Sequence, residues 1–90
     1  MPAAWRVEFD RAAARELRKL GGEAQQAILR YLRRRIAGPG DPRRFGQALT
    51  GGLKGLWRYR VGDYRIVAAI EDDRFVVLVV TVGHRREVYR

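Results

Sequence analysis

Ninety residues with 19 lysines and arginines against 10 acidic side chains carry a formal charge of +9, and that length allows one domain with an adequate core. Apolar residues make up 47% of the chain, which excludes a disordered chain, and no apolar run reaches the roughly 18 residues of a membrane-spanning helix. Without cysteine and with a single histidine, disulfides and thiolate metal sites are excluded and no metal or cofactor is expected.

All but two of the 19 cations are arginine. Such an excess on a small body points to a polyanionic partner, most simply nucleic acid; solvated arginines on the surface are the alternative. The opening stretch MPAAWRVEFD has no apolar signal-peptide core, and a reducing, cytoplasmic setting is expected.

Taken in chain order, the pattern predicts a β-α-α-β-β-β domain spanning residues 1–90. Trp5, Val7 and Phe9 alternate with Arg6 and Glu8, as in a half-buried strand. Asp10 is placed to cap a helix from Arg11 to Leu20, which Gly21-Gly22 stops. A second helix over 23–37 sets Ala24, Ala27, Ile28, Tyr31, Leu32 and Ile36 on one face. Arg30, Arg33 and Arg34 crowd its polar side, either as a solvated face or as a basic shoulder for a nucleic-acid backbone. After a loop through Gly52, three strands are predicted at about 56–61, 63–71 and 74–83. The class is α+β, a helical hairpin on one face of an antiparallel sheet.

The stretch GLWRYRVGDYRIVAAI fixes a register. With Gly62-Asp63 as a two-residue type II′ turn, Val61 opposes Tyr64, Tyr59 opposes Ile66 and Trp57 opposes Ala68 on the core face. On the other face Arg60 opposes Arg65, and Arg58 opposes Val67. Like charges directly across a hairpin cost stability, so the three arginines read as a phosphate-binding surface that an anion completes; arginines splayed into water are the alternative.

The run FVVLVVTV (75–82) is apolar at every position but Thr81. If Asp72-Asp73 turns the chain, Phe75, Val77 and Val79 join the core face, while Val76, Leu78 and Val80 join Val67 and Ala69 beside the arginines. A strand apolar on both sides is covered on both sides. The second cover is expected from another chain, or from the loop 38–52 or the first strand.

The segment LTGGLKGLWRYRVGDYRIVAAIEDDRFVVLVVTVGHRREVYR, with the strand and two helices before it, resembles the RelE/ParE superfamily of toxins, and its RelE branch more than ParE. The resemblance implies the toxin of a type II toxin–antitoxin system: a metal-independent endoribonuclease that cuts mRNA in the ribosomal A site and arrests translation. It implies a small acidic antitoxin encoded beside the toxin, covering Val67, Val76, Leu78 and Val80. Carried over by position, the site residues are Arg58, Arg60, Arg65, Arg85 and Tyr89, with Arg86 as a further RNA contact. Where the family often has lysine at the first two positions, this chain has arginine.

Cleavage by a 2′-OH needs a proton acceptor, positive charge on the phosphorane oxygens and a proton for the leaving 5′-oxygen. Arg60, Arg65 and Arg85 suit the second task, because fixed guanidiniums hold phosphate oxygens bidentately. Tyr89 suits stacking on a base or action through its hydroxyl. Arginine stays protonated at neutral pH, so His84, of a residue type that titrates near 6.5, is the candidate acid–base group; a structural imidazole is the alternative. Two other functions remain open: a ParE-like protein that inhibits DNA gyrase without chemistry, and an attenuated toxin that only binds its antitoxin.

Overall fold

The computed structural model describes residues 4–84. Along the chain lie β1 (Arg6–Phe9), α1 (Arg11–Arg18), α2 (Gly22–Tyr31), β2 (Gln47–Ala48), β3 (Leu56–Val61), β4 (Tyr64–Glu71) and β5 (Val76–His84). The expected β-α-α-β-β-β order is present with one addition, the two-residue β2. Asp10 caps α1 by accepting from the Ala13 N–H at 2.8 Å, which satisfies one of the orphan donors of the first turn. The second helix carries on past Tyr31 as a π-helical turn, Leu32–Ile36, where the Ala37 N–H donates to the Leu32 carbonyl at 2.8 Å.

Both helices pack on one face of a five-stranded sheet ordered β1-β5-β4-β3-β2. Ala13, Leu17, Ile28, Leu32 and Ile36 meet Tyr59, Ile66, Ala68, Val77, Val79 and Val82 in a single core. The sheet is mostly antiparallel, as expected, but β1 runs parallel to β5. The two helices carry the chain from β1 at one edge of the sheet to β2 at the other, so β1 meets β5 only after the chain has returned through β3 and β4.

The β3–β4 hairpin has the register that Gly62-Asp63 predicts, with Arg60 opposite Arg65 and Arg58 opposite Val67. Gly62 has φ 58°, and Asp63 is not among the residues of positive φ, the combination of a type II′ turn.

The β4–β5 connection differs from the sequence expectation. The turn occupies residues 72–75, so Phe75 leaves the core face; it is 42% exposed and meets Trp5 edge-on at 5.3 Å. Further along, Val67 pairs with Thr81 while Ala68 pairs with Val79. Val80 is therefore the extra residue of a β-bulge, and the alternation of β5 inverts across it. The arginine face of β5 carries Val76, Leu78, Thr81 and Gly83, whereas Val77, Val79 and Val82 enter the core.

Val67 and Val76 are already buried within the single chain, at 3% and 0% exposure, while Leu78 and Val80 are half-buried. Their cross-strand neighbours are long, Arg58 beside Val67 and Arg6 with Glu71 beside Val76, and such stems shield apolar surface. Between α2 and β2 the loop packs against the other face. Its Pro42 carbonyl accepts from the Tyr59 hydroxyl at 2.7 Å, and Gly46 lies against Tyr59 and Trp57, all on the helix side.

Candidate nucleic-acid interface

Strand alternation sets Arg58, Arg60 and Arg65 on the sheet face opposite the helices. Arg60 is exposed, and Arg58 and Arg65 are half-buried. Arg65 is paired on β5 with Gly83. Arg58 donates from Nη2 to the Gln47 side-chain oxygen. Gln47 is its neighbour on β2, so the small edge strand holds the arginine in place. Sequence reasoning passed over Gln47, because two residues carry no periodicity to read.

Charge is divided along this face. Its acids, Glu8 and Glu71, lie toward the other end, where Arg74 reaches Glu71 at 2.6 Å and Glu8 at 3.5 Å, and Arg6 reaches Glu8 at 3.6 Å. At the hairpin end, among the described residues, this face carries Arg58, Arg60 and Arg65. Hydrogen bonding to Glu71 raises the pKa of Arg74, as hydrogen bonding to Asp72 raises that of Arg43. Burial pushes the Tyr31 and Tyr59 hydroxyls upward, Tyr59 far more strongly, so both remain protonated donors.

The three helix arginines are not one shoulder. Arg30 and Arg34 line a cleft of about 270 Å³ with Ala27, Tyr31, Arg35 and Val61, and Val61 adjoins Arg60 in β3. Arg33 instead lines an apolar groove of about 320 Å³ with Val7, Phe9, Leu29, Leu32 and Ala37, on the β1 side.

His84 pairs with Tyr64, and the two rings meet nearly perpendicular at 6.0 Å. That register assigns it to the helix face, opposite Arg60 and Arg65, where sequence reading had grouped it with them. Arg85, Arg86 and Tyr89 lie outside the described residues. Among the described residues, no three His, Cys, Asp or Glu side chains are grouped to hold a metal ion, and no helix is long and apolar enough to cross a membrane.

The family model for the ParE toxin of the type II toxin–antitoxin system parDE matches residues 7–89. The chain belongs to the RelE/ParE superfamily of toxins. This RelE/ParE toxin is 33% identical over 88 residues to toxin RelE of Mycobacterium tuberculosis (strain ATCC 25618 / H37Rv), covering 96% of the chain and 87% of that relative. It is 31% identical over 84 residues to toxin RelG of the same organism, covering 93% and 94%. Its fold superimposes on the RelBE2 toxin–antitoxin complex of M. tuberculosis with a TM-score of 0.83, at 28% identity and 97% and 98% coverage. The intact E. coli RelBE complex matches with a TM-score of 0.70, at 26% identity and 91% and 96% coverage.

Proposed function

We propose that this type II toxin cuts mRNA on the ribosome, without a metal, and is held inactive by an acidic antitoxin of the RelB kind. The observation that carries the reading is the Arg60–Arg65 pair with Arg58 beside it, locked by hairpin register on a face that the helices leave open. Three guanidiniums at that spacing neutralise non-bridging phosphate oxygens and the charge that develops as the 2′-oxygen attacks. Arg85 and Tyr89 would complete the site from the segment after β5, with Arg86, Arg30 and Arg34 as further contacts to the RNA backbone and Arg33 serving the β1 side.

His84 pairs with Tyr64, on the face opposite Arg60. Acceleration on this reading comes chiefly from positioning the 2′-OH in line and from fixed positive charge. The antitoxin would lie over the half-buried Leu78 and Val80 and extend to the surface around Val67 and Val76, screening the arginines beside them.

The test is a purified translation reaction on a defined mRNA, mapped by primer extension in the presence of EDTA. Cuts at A-site codons that need ribosomes and vanish in Arg65→Ala support the reading; uncut mRNA from folded toxin rejects it. Comparing His84→Gln in the same reaction decides whether the imidazole moves a proton. The match to the ParE toxin model favours a second reading, inhibition of DNA gyrase by binding, which would give DNA-damage induction before any loss of translation.

A further inference from the structure

A second cluster lies outside the arginine face, in the 3₁₀ turn Pro42–Phe45. Phe45 is 40% exposed, yet its ring is not bare. Arg35, from the π-helical turn, and Arg44 stand over it with guanidinium carbons 5.5 and 5.0 Å from the centroid. Two like charges gathered on one ring repel. Arg43, next in the turn, is tied to Asp72 at 2.6 Å and Asp41 at 3.4 Å, but among the described residues no acidic side chain pairs with Arg35 or Arg44. The Arg44 guanidinium also lies so close to Gly40 that a Cβ there would fall 2.5 Å from it. Its position over Phe45 depends on the missing side chain.

A planar ring, planar guanidiniums and uncompensated positive charge are the components that take up an unpaired nucleobase with its phosphates. Arg35 also lines the cleft with Tyr31, Arg34 and Val61, which leads round the edge of β3 to Arg60. We propose that Phe45, Arg35 and Arg44 form a stacking site for one unpaired base of single-stranded RNA, whose backbone continues past Arg34 to Arg60. The site rests on the RNA reading of the arginine face, but its ligand binding can be measured without cleavage.

The experiment is fluorescence anisotropy with a labelled oligouridine of twelve nucleotides, run beside the ribosome cleavage reaction, with thermal melts to confirm that each variant folds. Phe45→Tyr should bind as wild type and Phe45→Leu roughly tenfold more weakly, the loss of one stacked base. Gly40→Ala, which displaces Arg44 at constant charge, should weaken binding several-fold. Arg35→Gln with Arg44→Gln should reduce the slope of log affinity against log salt by about 1.4, or 0.7 per phosphate. Equal affinity of wild type and Phe45→Leu, equal competition by the duplex of the same length, or no binding by wild type overturns the site. Phe45-dependent binding without any cleavage leaves this site standing and removes the nuclease reading; cleavage with Phe45-independent binding does the reverse.

Discussion

Replacing Arg60 by glutamine separates two effects that the hairpin register assigns to one residue. Arg60 is exposed and faces Arg65 across β3 and β4. Two unit charges roughly 7 Å apart repel by about 0.6 kcal/mol in bulk water. A Debye length of about 8 Å at physiological salt lowers that by more than half, whereas at 10 mM the screening is slight. Glutamine keeps much of the aliphatic stem and removes the charge. Arg60→Gln should therefore stabilise the toxin by about 0.5 kcal/mol at 10 mM salt, or about 2–4 °C in Tm for a domain of this size. At 1 M salt the difference should vanish. The same variant should lose most ribosome-dependent cleavage, so that stability and activity move in opposite directions. Circular-dichroism melts at the two salt concentrations measure the first effect and primer extension the second. A lower Tm at low salt would show that attraction holds Arg60 in place, and a gain that persists at 1 M would show that the cost of Arg60 is not charge repulsion. The argument for an anion site would then fail.

Other perturbations test the scaffold beneath the site. Tyr59→Phe removes the buried hydrogen bond to the Pro42 carbonyl and should cost about 1–2 kcal/mol in urea unfolding at pH 7. Because burial raises the Tyr59 pKa, the folded state holds that proton more tightly; stability is full below pH of about 10 and falls as pH rises beyond it. Tyr59→Phe should flatten the decline above pH of about 10 in the same assay. Val77→Ala, at a fully buried position of β5, should cost about 2–3 kcal/mol of unfolding free energy. Asp10→Ala should cost about 1 kcal/mol by removing the α1 cap, with cleavage in the primer-extension assay unchanged at temperatures where the variant stays folded.

Local chemistry made the hairpin legible. Gly62-Asp63 admits a two-residue turn, and that turn alone decides which arginines face each other. The helical hairpin could be read for the same kind of reason, from Asp10, Gly21-Gly22 and apolar positions at helical spacing. The remainder depended on contacts distant in sequence. Nothing in Trp5–Phe9 announces that its neighbour lies some seventy residues later and runs parallel. In β5 the residues are apolar on both faces, so no alternation existed to betray the bulge at Val80 or the reversal beyond it. That reversal is why His84 falls on the face of Tyr64 rather than with Arg65. Phe45 went unnoticed because its significance comes from Arg35, which only the π-helical turn brings above the ring; the run PRRF was the available hint.

The parallel pairing of β1 with β5 also dictates when the molecule can form. β5 lies between β1 and β4, so the first strand has no partner during synthesis until residues 76–84 have emerged. Non-local pairings of this kind raise contact order and delay folding. A nascent chain therefore exposes its arginine hairpin without the sheet that stiffens it. The arginine site gains its stiffening only when β5 docks between β4 and β1, the last of the pairings to become available along the chain.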